Sequence, residues 1–405
     1  MTAIMAWRNI WRNPTRSGVV IVAIALGIWA AIFMTGFATG MMNSYINGAI
    51  STVVGHIQIH HPDFNKDQEV KFQLDQPNAI ANYINGFEQV EAYSMRTLVN
   101  GMVASSNGTR GIQIQGIDAE AENVVRQLEK KVIDGTYFTD GKRNPILVSQ
   151  KLAEKLKLKI RSKVVLTFQD VEGEIVSAAF RVQGIFDTKN NLFDESKIFV
   201  KRVDLNRLLN FPESAAHEIG VILKDNKDVK LLKPQWDAHF KTAVAEPYYE
   251  VSPDLELYES QMSTVSQIYL TIILLALIFG IINTMLMSIL ERFRELGMLM
   301  AIGMNKLKVF GMIVMETFLL SFAGVPLGLL LGWLTITYFG TRGMNLSAFS
   351  ESLQMYGMSD FIYFQVDAAT YYNVPLMVAI TAIIASIYPA LKAIRLKPVE
   401  AIRKI

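Results

Sequence analysis

The 405-residue sequence contains no cysteine, which removes disulfides, thiolate metal sites, thiol catalysis and any lipid-modified cysteine in one step. Charge is scarce: 19% of residues are Asp, Glu, Lys or Arg, against about a quarter in ordinary soluble proteins. The charge that exists nearly cancels, 39 basic against 37 acidic residues, so the chain has no global basic field of the kind nucleic-acid binding uses. Catalytic signatures are missing too, with no G-x-S-x-G elbow, no H-E-x-x-H pair and no G-x-x-x-x-G-K-[ST] phosphate loop. Apolar residues, by contrast, make up 51% of the chain, and the mean hydropathy of +0.26 points to an integral membrane protein.

Three runs, 18–42, 266–290 and 310–339, are long and apolar enough to cross a hydrocarbon core, which takes about 20 residues, and a fourth lies at 374–394. Inside these runs the only acidic residue is Glu316, and the first basic one is Lys392 at the far edge. Four crossings place Arg8, Arg12, Arg16, Arg292, Arg294, Lys306, Lys308, Lys392, Arg395, Lys397, Arg403 and Lys404 on one side, and Arg342 alone on the other. By the positive-inside rule both termini and the connection between spans two and three are cytoplasmic. The first apolar run exceeds the usual h-region of a cleaved signal, and its small-x-small sequence Ala23-Ile24-Ala25 falls in mid-run, so a retained anchor is expected.

Residues 43–265 have a soluble-domain composition and an expected extracytoplasmic location. Runs such as His56 to His60, Gly111 to Gln115 and Lys197 to Val200 alternate like half-buried strands. Ala119 to Ile133 and Ser149 to Leu158 have helical spacing, with Ser149 as a cap. The expected class is therefore an α-helical integral membrane protein with four transmembrane helices and a large α+β extracytoplasmic domain between helices 1 and 2. His56, His60 and His61 invite a metal reading, but on one strand they cannot share a site: His60 and His61 face opposite ways, and His56 lies roughly 13 Å from His60. No metal site is expected. Asp187, Asp194 and Glu195, beside Asn190 and Asn191, read as turn chemistry rather than catalysis.

The opening WRNIWRNPTRSG divides at Asn13-Pro14, a helix cap followed by a favoured first helical residue. Ahead of it, Trp7 and Trp11 share a helical face beside a stripe of Arg8 and Arg12, which describes an interfacial anchor. Between spans two and three, Glu291 to Met304 reads as one short amphipathic helix, either docking a partner or lying at the membrane edge. In the third span Gly324, Gly328 and Gly332 recur every four residues and favour close approach of another helix. Glu316, two turns earlier, pairs with Arg292 or Arg294 or carries a proton.

These motifs resemble the permease subunits of ABC transporters of the MacB, LolC/LolE and FtsX type, the mechanotransmission or type VII family. The resemblance rests on Asn283-Thr284-Met285, Glu291-Arg292-x-Arg294-Glu295-x-Gly297, Ala301-Ile302-Gly303, Glu316 with the glycine ladder, and the ending from Tyr388 to Arg403. In the soluble segment it rests on Gly116-Ile117-Asp118, Asp134 to Phe138, and Phe180 to Phe186 leading to Asp194.

Hydropathy, charge and the Asn13-Pro14 cap divide the chain into a cytoplasmic elbow at 1–13, transmembrane helices at 14–42, 266–290, 309–339 and 374–394, and an external domain at 43–265, a layout that the resemblance matches and by which that domain is a periplasmic core domain. The resemblance also implies a coupling helix at 291–308, a periplasmic loop at 340–373 and a cytoplasmic tail at 395–405. Glu291, Arg292, Arg294, Glu295, Gly297, Ala301 and Gly303 would then receive motion from a separate ATPase dimer. ATP and Mg would sit on that partner, with no cofactor and no catalysis on this chain. The family pairs two permease copies or relatives in the bacterial inner membrane. Many relatives have a basic residue soon after the coupling-helix glycine, where this chain has Met298, Leu299 and Met300. The short lead before the first span, the length of the soluble segment and the long 340–373 loop make the layout most similar to LolC/LolE. That points to lipoprotein release to a periplasmic carrier, with MacB-like efflux or FtsX-like regulation of a partner enzyme as alternatives.

Overall fold

The computed structural model describes residues 7, 8, 10, 12, 14–139 and 144–395. Trp11 and the sequence after Arg395 lie outside the described residues, and with them part of the expected anchor and the end of the family motif. The chain divides into two compact units, one of residues 1–42, 260–345 and 361–405, the other of residues 43–259 and 346–360.

Among the described residues four helices are long and apolar enough to cross a membrane. They are Pro14–Ala49, prolonged by a π turn at Ile50–Val54, then Pro253–Glu291, Lys306–Arg342 and Thr370–Ile394. Each is longer than its apolar segment, because hydropathy marks the part that suits hydrocarbon and not the end of the helix. The second, for instance, begins thirteen residues before Ser266, with Pro253 at its first position, where a missing N–H costs nothing. The third is capped by Asn305, whose side chain accepts from Leu307 N at 3.0 Å.

The connection between the second and third helices differs from expectation. Glu291 is the last residue of the second helix, and Lys306 and Lys308 belong to the third. The connecting helix is only Phe293–Ala301. At Arg292 the backbone leaves helical values (φ −95°, ψ 17°). Beyond the helix, Gly303 turns at φ +102°, a conformation that L side chains resist.

In the second unit ten strands form one sheet: β1 (Ile57–His60), β2 (Val90–Ser105), β3 (Gly108–Ile117), β4 (Val132–Gly135), β5 (Pro145–Ser149), β6 (Lys163–Gln169), β7 (Ile175–Phe186), β8 (Lys197–Lys201), β9 (Glu218–Leu223) and β10 (Val244–Pro247). Six of them close on themselves in the order β2-β3-β8-β5-β7-β6 and back to β2. The interior of this small barrel is filled by Val99, Ile114, Ile146, Leu166, Phe180 and Ile198 among others. Strand β2 is long enough to serve twice: its second half pairs β6, while its first half leads through β9 and β1 to β10. The α+β class holds for this domain.

Two local expectations fail. Strands β1 and β8 are covered on both faces rather than half-buried. In β1 the polar face is satisfied by protein, as where Gln58 donates to Val54 O at 2.9 Å, so alternation marked polarity and not water. The helix expected over 119–133 stops at Arg126; a 3-10 turn at Leu128–Lys131 follows, and Val132 already belongs to β4. The chain breaks at Gln127, which takes a left-handed conformation (φ 50°). Ser149 does cap its helix, Gln150–Leu156, accepting from Leu152 N at 3.1 Å.

Candidate functional site

Four helical segments meet at one end of the span bundle. Ser17, early in the first span, is buried and its hydroxyl donates to Ile10 O at 2.7 Å, tying the preceding turn to the span. Arg12 forms an ion pair with Glu295 on the connecting helix. Both side chains are half-exposed, so this contact stabilises by at most about 1 kcal/mol. Immediately before that helix, Arg292 Nη1 lies 3.3 and 3.2 Å from the two carboxylate oxygens of Glu316. Here both partners are buried, at 8% and 6% exposure.

The intramembrane carboxylate therefore pairs with Arg292, whereas Arg294 points to the exposed face. That face of the connecting helix runs through Arg294, Glu295, Met298 and Ala301 and continues to Ile302 just beyond it, 78% exposed, while Leu296 and Gly297 turn inward; Glu291, at the end of the second helix, is exposed too. Of the expected coupling residues, then, Arg292 and Gly297 are buried and the other five, Gly303 included, are accessible. Of the expected anchor, Trp7, Arg8 and Arg12 are exposed.

Glu316 begins a four-residue series along the third span through Leu320 to the three glycines, all of them buried. The ladder's partner is the first span. A Cβ at Gly324 would lie 2.9 Å from Ile24 Cγ2, at Gly328 2.8 Å from both Ala25 O and Ile28 Cβ, and at Gly332 2.8 Å from Ile32 Cδ1. Only glycine lets these two helices approach so closely. One turn further, Trp29 Nε1 donates to Thr335 Oγ1 at 3.0 Å. The seam and the Arg292–Glu316 pair are thus built on one stripe of one helix.

A second cluster, absent from the sequence reading, lies inside the soluble unit. Arg96 on β2 donates through Nε and Nη2 to the two oxygens of Glu122 at 3.0 and 2.9 Å, and through Nη1 to Glu218 Oε1 at 2.6 Å. Arg126, one turn after Glu122, lies 3.0 Å from the same carboxylate and donates to Gln115 Oε1 and Val53 O. Burial alone would raise the Glu122 carboxyl, but Arg96 and Arg126 outweigh it and hold it down at about 2. Burial works the other way on Arg96, whose pKa is nonetheless raised by the two carboxylates. The guanidinium occupies the space where Gly220 lacks a side chain: a Cβ there would lie 2.5 Å from Arg96 Nη1. The visible signal was the i, i+4 spacing of Glu122 and Arg126; Arg96 and Glu218 are distant in sequence.

The three histidines of the β1 region have separate partners. His56 Nδ1 accepts from Leu223 N, His60 lies 2.8 Å from His61 O and 3.1 Å from Glu246, and His61 Nδ1 accepts from Asp63 N. Among the described residues no three His, Asp or Glu side chains converge as a metal site would need. Around Asp194 the chemistry is that of a turn: the carboxylate accepts from Thr188 N and Oγ1, and Asn190 caps the short helix Asn191–Ser196. Burial pushes the Asp194 carboxyl up to about 6.

Apolar spans, a glycine seam, and an α+β domain inserted after the first span define a multi-span membrane protein with a folded insert. Comparison with known families agrees: the chain matches the MacB-like periplasmic core domain over residues 17–238 and the FtsX-like permease C-terminal domain over residues 268–398. It belongs to this MacB/FtsX family of ABC transporter permeases.

Similar proteins include an ABC transporter permease of Methanocaldococcus jannaschii, 24% identical over 57% of this chain and 56% of that one. The lipoprotein-releasing system transmembrane protein LolC of Xylella fastidiosa is 24% identical over 72% of each. The macrolide export ATP-binding/permease protein MacB of Pasteurella multocida is 32% identical over 30% of this chain and 16% of that protein. The chain thus spans about half the length of the Methanocaldococcus relative. Among solved structures, the periplasmic region of MacB from Actinobacillus actinomycetemcomitans aligns over 52% of this chain with a TM-score of 0.37 and 14% identity.

Proposed function

We propose that this permease couples ATP hydrolysis on a separate ATPase dimer to movement of its soluble domain in a bacterial inner membrane, with both termini cytoplasmic. Its action is to lift lipoproteins or similar amphiphiles from the outer leaflet. The observation that carries the cargo assignment is the likeness to LolC, which extends over 72% of both chains. The match to the MacB protein of Pasteurella multocida is higher in identity but runs over 124 residues, and it favours efflux of a small amphiphile as the second reading.

The coupling assignment is supported by the geometry of the connecting helix. Its exposed face offers Arg294 beside Met298 and Ile302, a mixed polar and apolar surface suited to a protein partner. Its other contacts are the ion pairs Arg12–Glu295 and Arg292–Glu316, which tie it to the chain ahead of the first span and to the third span. A push on this helix therefore reaches the third span directly and the first span through the turn held by Ser17. A second copy or a homologous permease completes the assembly, with ATP and magnesium on the ATPase subunits.

Depletion of the protein tests the cargo: acylated proteins should accumulate in the inner membrane. Normal sorting together with increased sensitivity to drugs or peptides would replace release by efflux. Charge reversal, Arg294→Glu, tests the coupling. ATPase stimulation by the permease should be lost while the span bundle stays folded, and unchanged stimulation would refute the docking role.

A further inference from the structure

The end of the bundle where the charged pairs gather also holds a cavity of about 810 Å³, inside the roughly 300–1,000 Å³ of ordinary small-molecule sites. Its lining includes the exposed Trp7, Arg8 and Arg12 at the rim and, deeper, the buried Arg292 beside the buried apolar side chains Met285, Ile289 and Met312. Two of the three arginines already face carboxylates: Arg12 faces Glu295 and Arg292 faces Glu316. Arg8, exposed at the rim, has no carboxylate partner among the described residues. Among the described residues the lining thus carries one positive charge in excess, three arginines against two glutamates.

The cavity's height in the membrane follows from its elements. Trp7 to Arg12 precede the first span, Arg292 follows the last residue of the second, and Glu316 lies ten residues into the third, about 15 Å along a helix. An opening with a tryptophan and arginines at its rim and hydrocarbon side chains below therefore sits at headgroup depth, where aromatic residues and long cations settle.

From this geometry we infer that the cavity is a binding site for one anionic phospholipid. Its phosphodiester lies against Arg8 and the outer edge of Arg12, and its glycerol and upper acyl chain lie over Met285, Ile289 and Met312. Charge complementarity selects an anion, and the apolar floor selects a lipid over a free anion. A zwitterionic headgroup brings its own cation to the rim and gains less. The lipid would bridge the turn before the first span and the connecting helix. The site requires only that the chain spans the membrane, and it stands whether or not an ATPase docks on Arg294 and Ile302, neither of which lines the cavity.

The test uses the full chain in nanodiscs of phosphatidylcholine with one-fifth phosphatidylglycerol, followed by exchange into phosphatidylcholine alone and native mass spectrometry of retained lipid. The wild type should retain one phosphatidylglycerol per chain. Arg8→Gln, which leaves both ion pairs and the glycine seam untouched, should weaken retention about ten-fold or more, the loss of one charge-assisted hydrogen bond. Arg8→Lys should recover most of it. Arg342→Gln, at the opposite end of the third span, serves as the control and should change nothing.

Equal retention in wild type and Arg8→Gln would overturn the site, as would equal retention of the zwitterionic lipid. Inorganic phosphate displacing the lipid at low millimolar concentration would make this a simple anion site and overturn the lipid assignment. ATPase stimulation is not read, so failure of the coupling role and failure of the lipid site remain distinguishable.

Discussion

Glu316→Gln keeps the size of the side chain and deletes its charge, removing the facing carboxylate from the Arg292 guanidinium, which is only 8% exposed. Removing one member of a buried ion pair costs about 3–5 kcal/mol, because the survivor keeps its desolvation penalty and loses its attraction. The lower end applies here. Arg292 directly follows the last residue of the second helix, so its long stem allows part of the charge to reach headgroups. A loss of about 3 kcal/mol changes the ratio of folded to unfolded chain roughly 150-fold. The double variant Arg292→Met/Glu316→Met removes both charges at similar volume and should lie within about 1 kcal/mol of wild type, since apolar replacement of a whole buried pair is often neutral or stabilising.

The assay is reversible unfolding of the full chain in mixed micelles of a mild detergent and dodecyl sulfate, followed by helical ellipticity, with wild type, Arg292→Met, Glu316→Met and the double variant forming a double-mutant cycle and Glu316→Gln measured beside them. The expected coupling between the two sites is 2 kcal/mol or more in magnitude. Strict additivity, or a Glu316→Gln protein as stable as wild type, would refute a charged pair at this position. It would mean instead that Glu316 is protonated in the bilayer and holds its place by packing alone.

The glycine seam predicts a contrast between two equally small substitutions. Gly328→Ala puts a methyl group 2.8 Å from Ala25 O and Ile28 Cβ, and the forced separation of helices should cost about 1–3 kcal/mol. Gly280→Ala, with nothing within 4 Å, should be neutral or slightly stabilising in the same titration; equal costs would remove the seam from the account. A third prediction concerns acid. Burial lowers His56 and His217 from 6.5 to about 4, so each contributes stability that is complete above pH 6.5 and is lost as pH falls towards 4, at up to about 1.4 kcal/mol per pH unit. Asp194 works in the opposite sense: burial raises it from 3.8 to about 6, so its contribution is complete below 3.8 and is lost as pH rises through 6. Urea melts of the full chain should therefore show a net fall in stability from pH 6 to 4, steeper in Asp194→Asn; a flat profile in that variant would show that neither histidine is held neutral.

The spans were legible because twenty consecutive apolar residues have few alternative meanings in water. The glycine ladder was legible as a contact but not as a particular contact. Four-residue spacing defines a face on one helix, and nothing in a linear pattern says that Ile24, Ala25 and Ile28 are what that face meets. The connecting helix was read too long for a related reason. Charge and hydropathy run smoothly from Glu291 to Met304, while the break at Arg292 coincides with its side chain's contact with Glu316, a residue 24 positions away. In β1 alternation was real, but its polar half meets Val54 O, Asn65 and Glu246 instead of water. Periodicity reports which side chains need polar partners and is silent on whether protein or solvent supplies them.

The buried charges of the soluble domain show what that silence conceals. Arg96, Glu122 and Glu218 lie on a strand, a helix and another strand, and become neighbours only when β9 adds to β2 with Gly220 opposite Ser94 and Glu218 opposite Arg96. A buried ionic network is weak evidence for stability, since apolar residues of equal volume often do as well. Its effect on register is more direct. Slipping β9 by one residue moves Glu218 to the other face of the sheet. It also brings Ile219 or Val221 to the position where Gly220 now leaves room for the Arg96 guanidinium. Such a slip strands two arginines and a carboxylate in the interior, each without its full set of partners. The network thus penalises the nearest wrong pairing more than it stabilises the right one, and it does so at the strand where the six-stranded barrel joins the β9-β1-β10 extension.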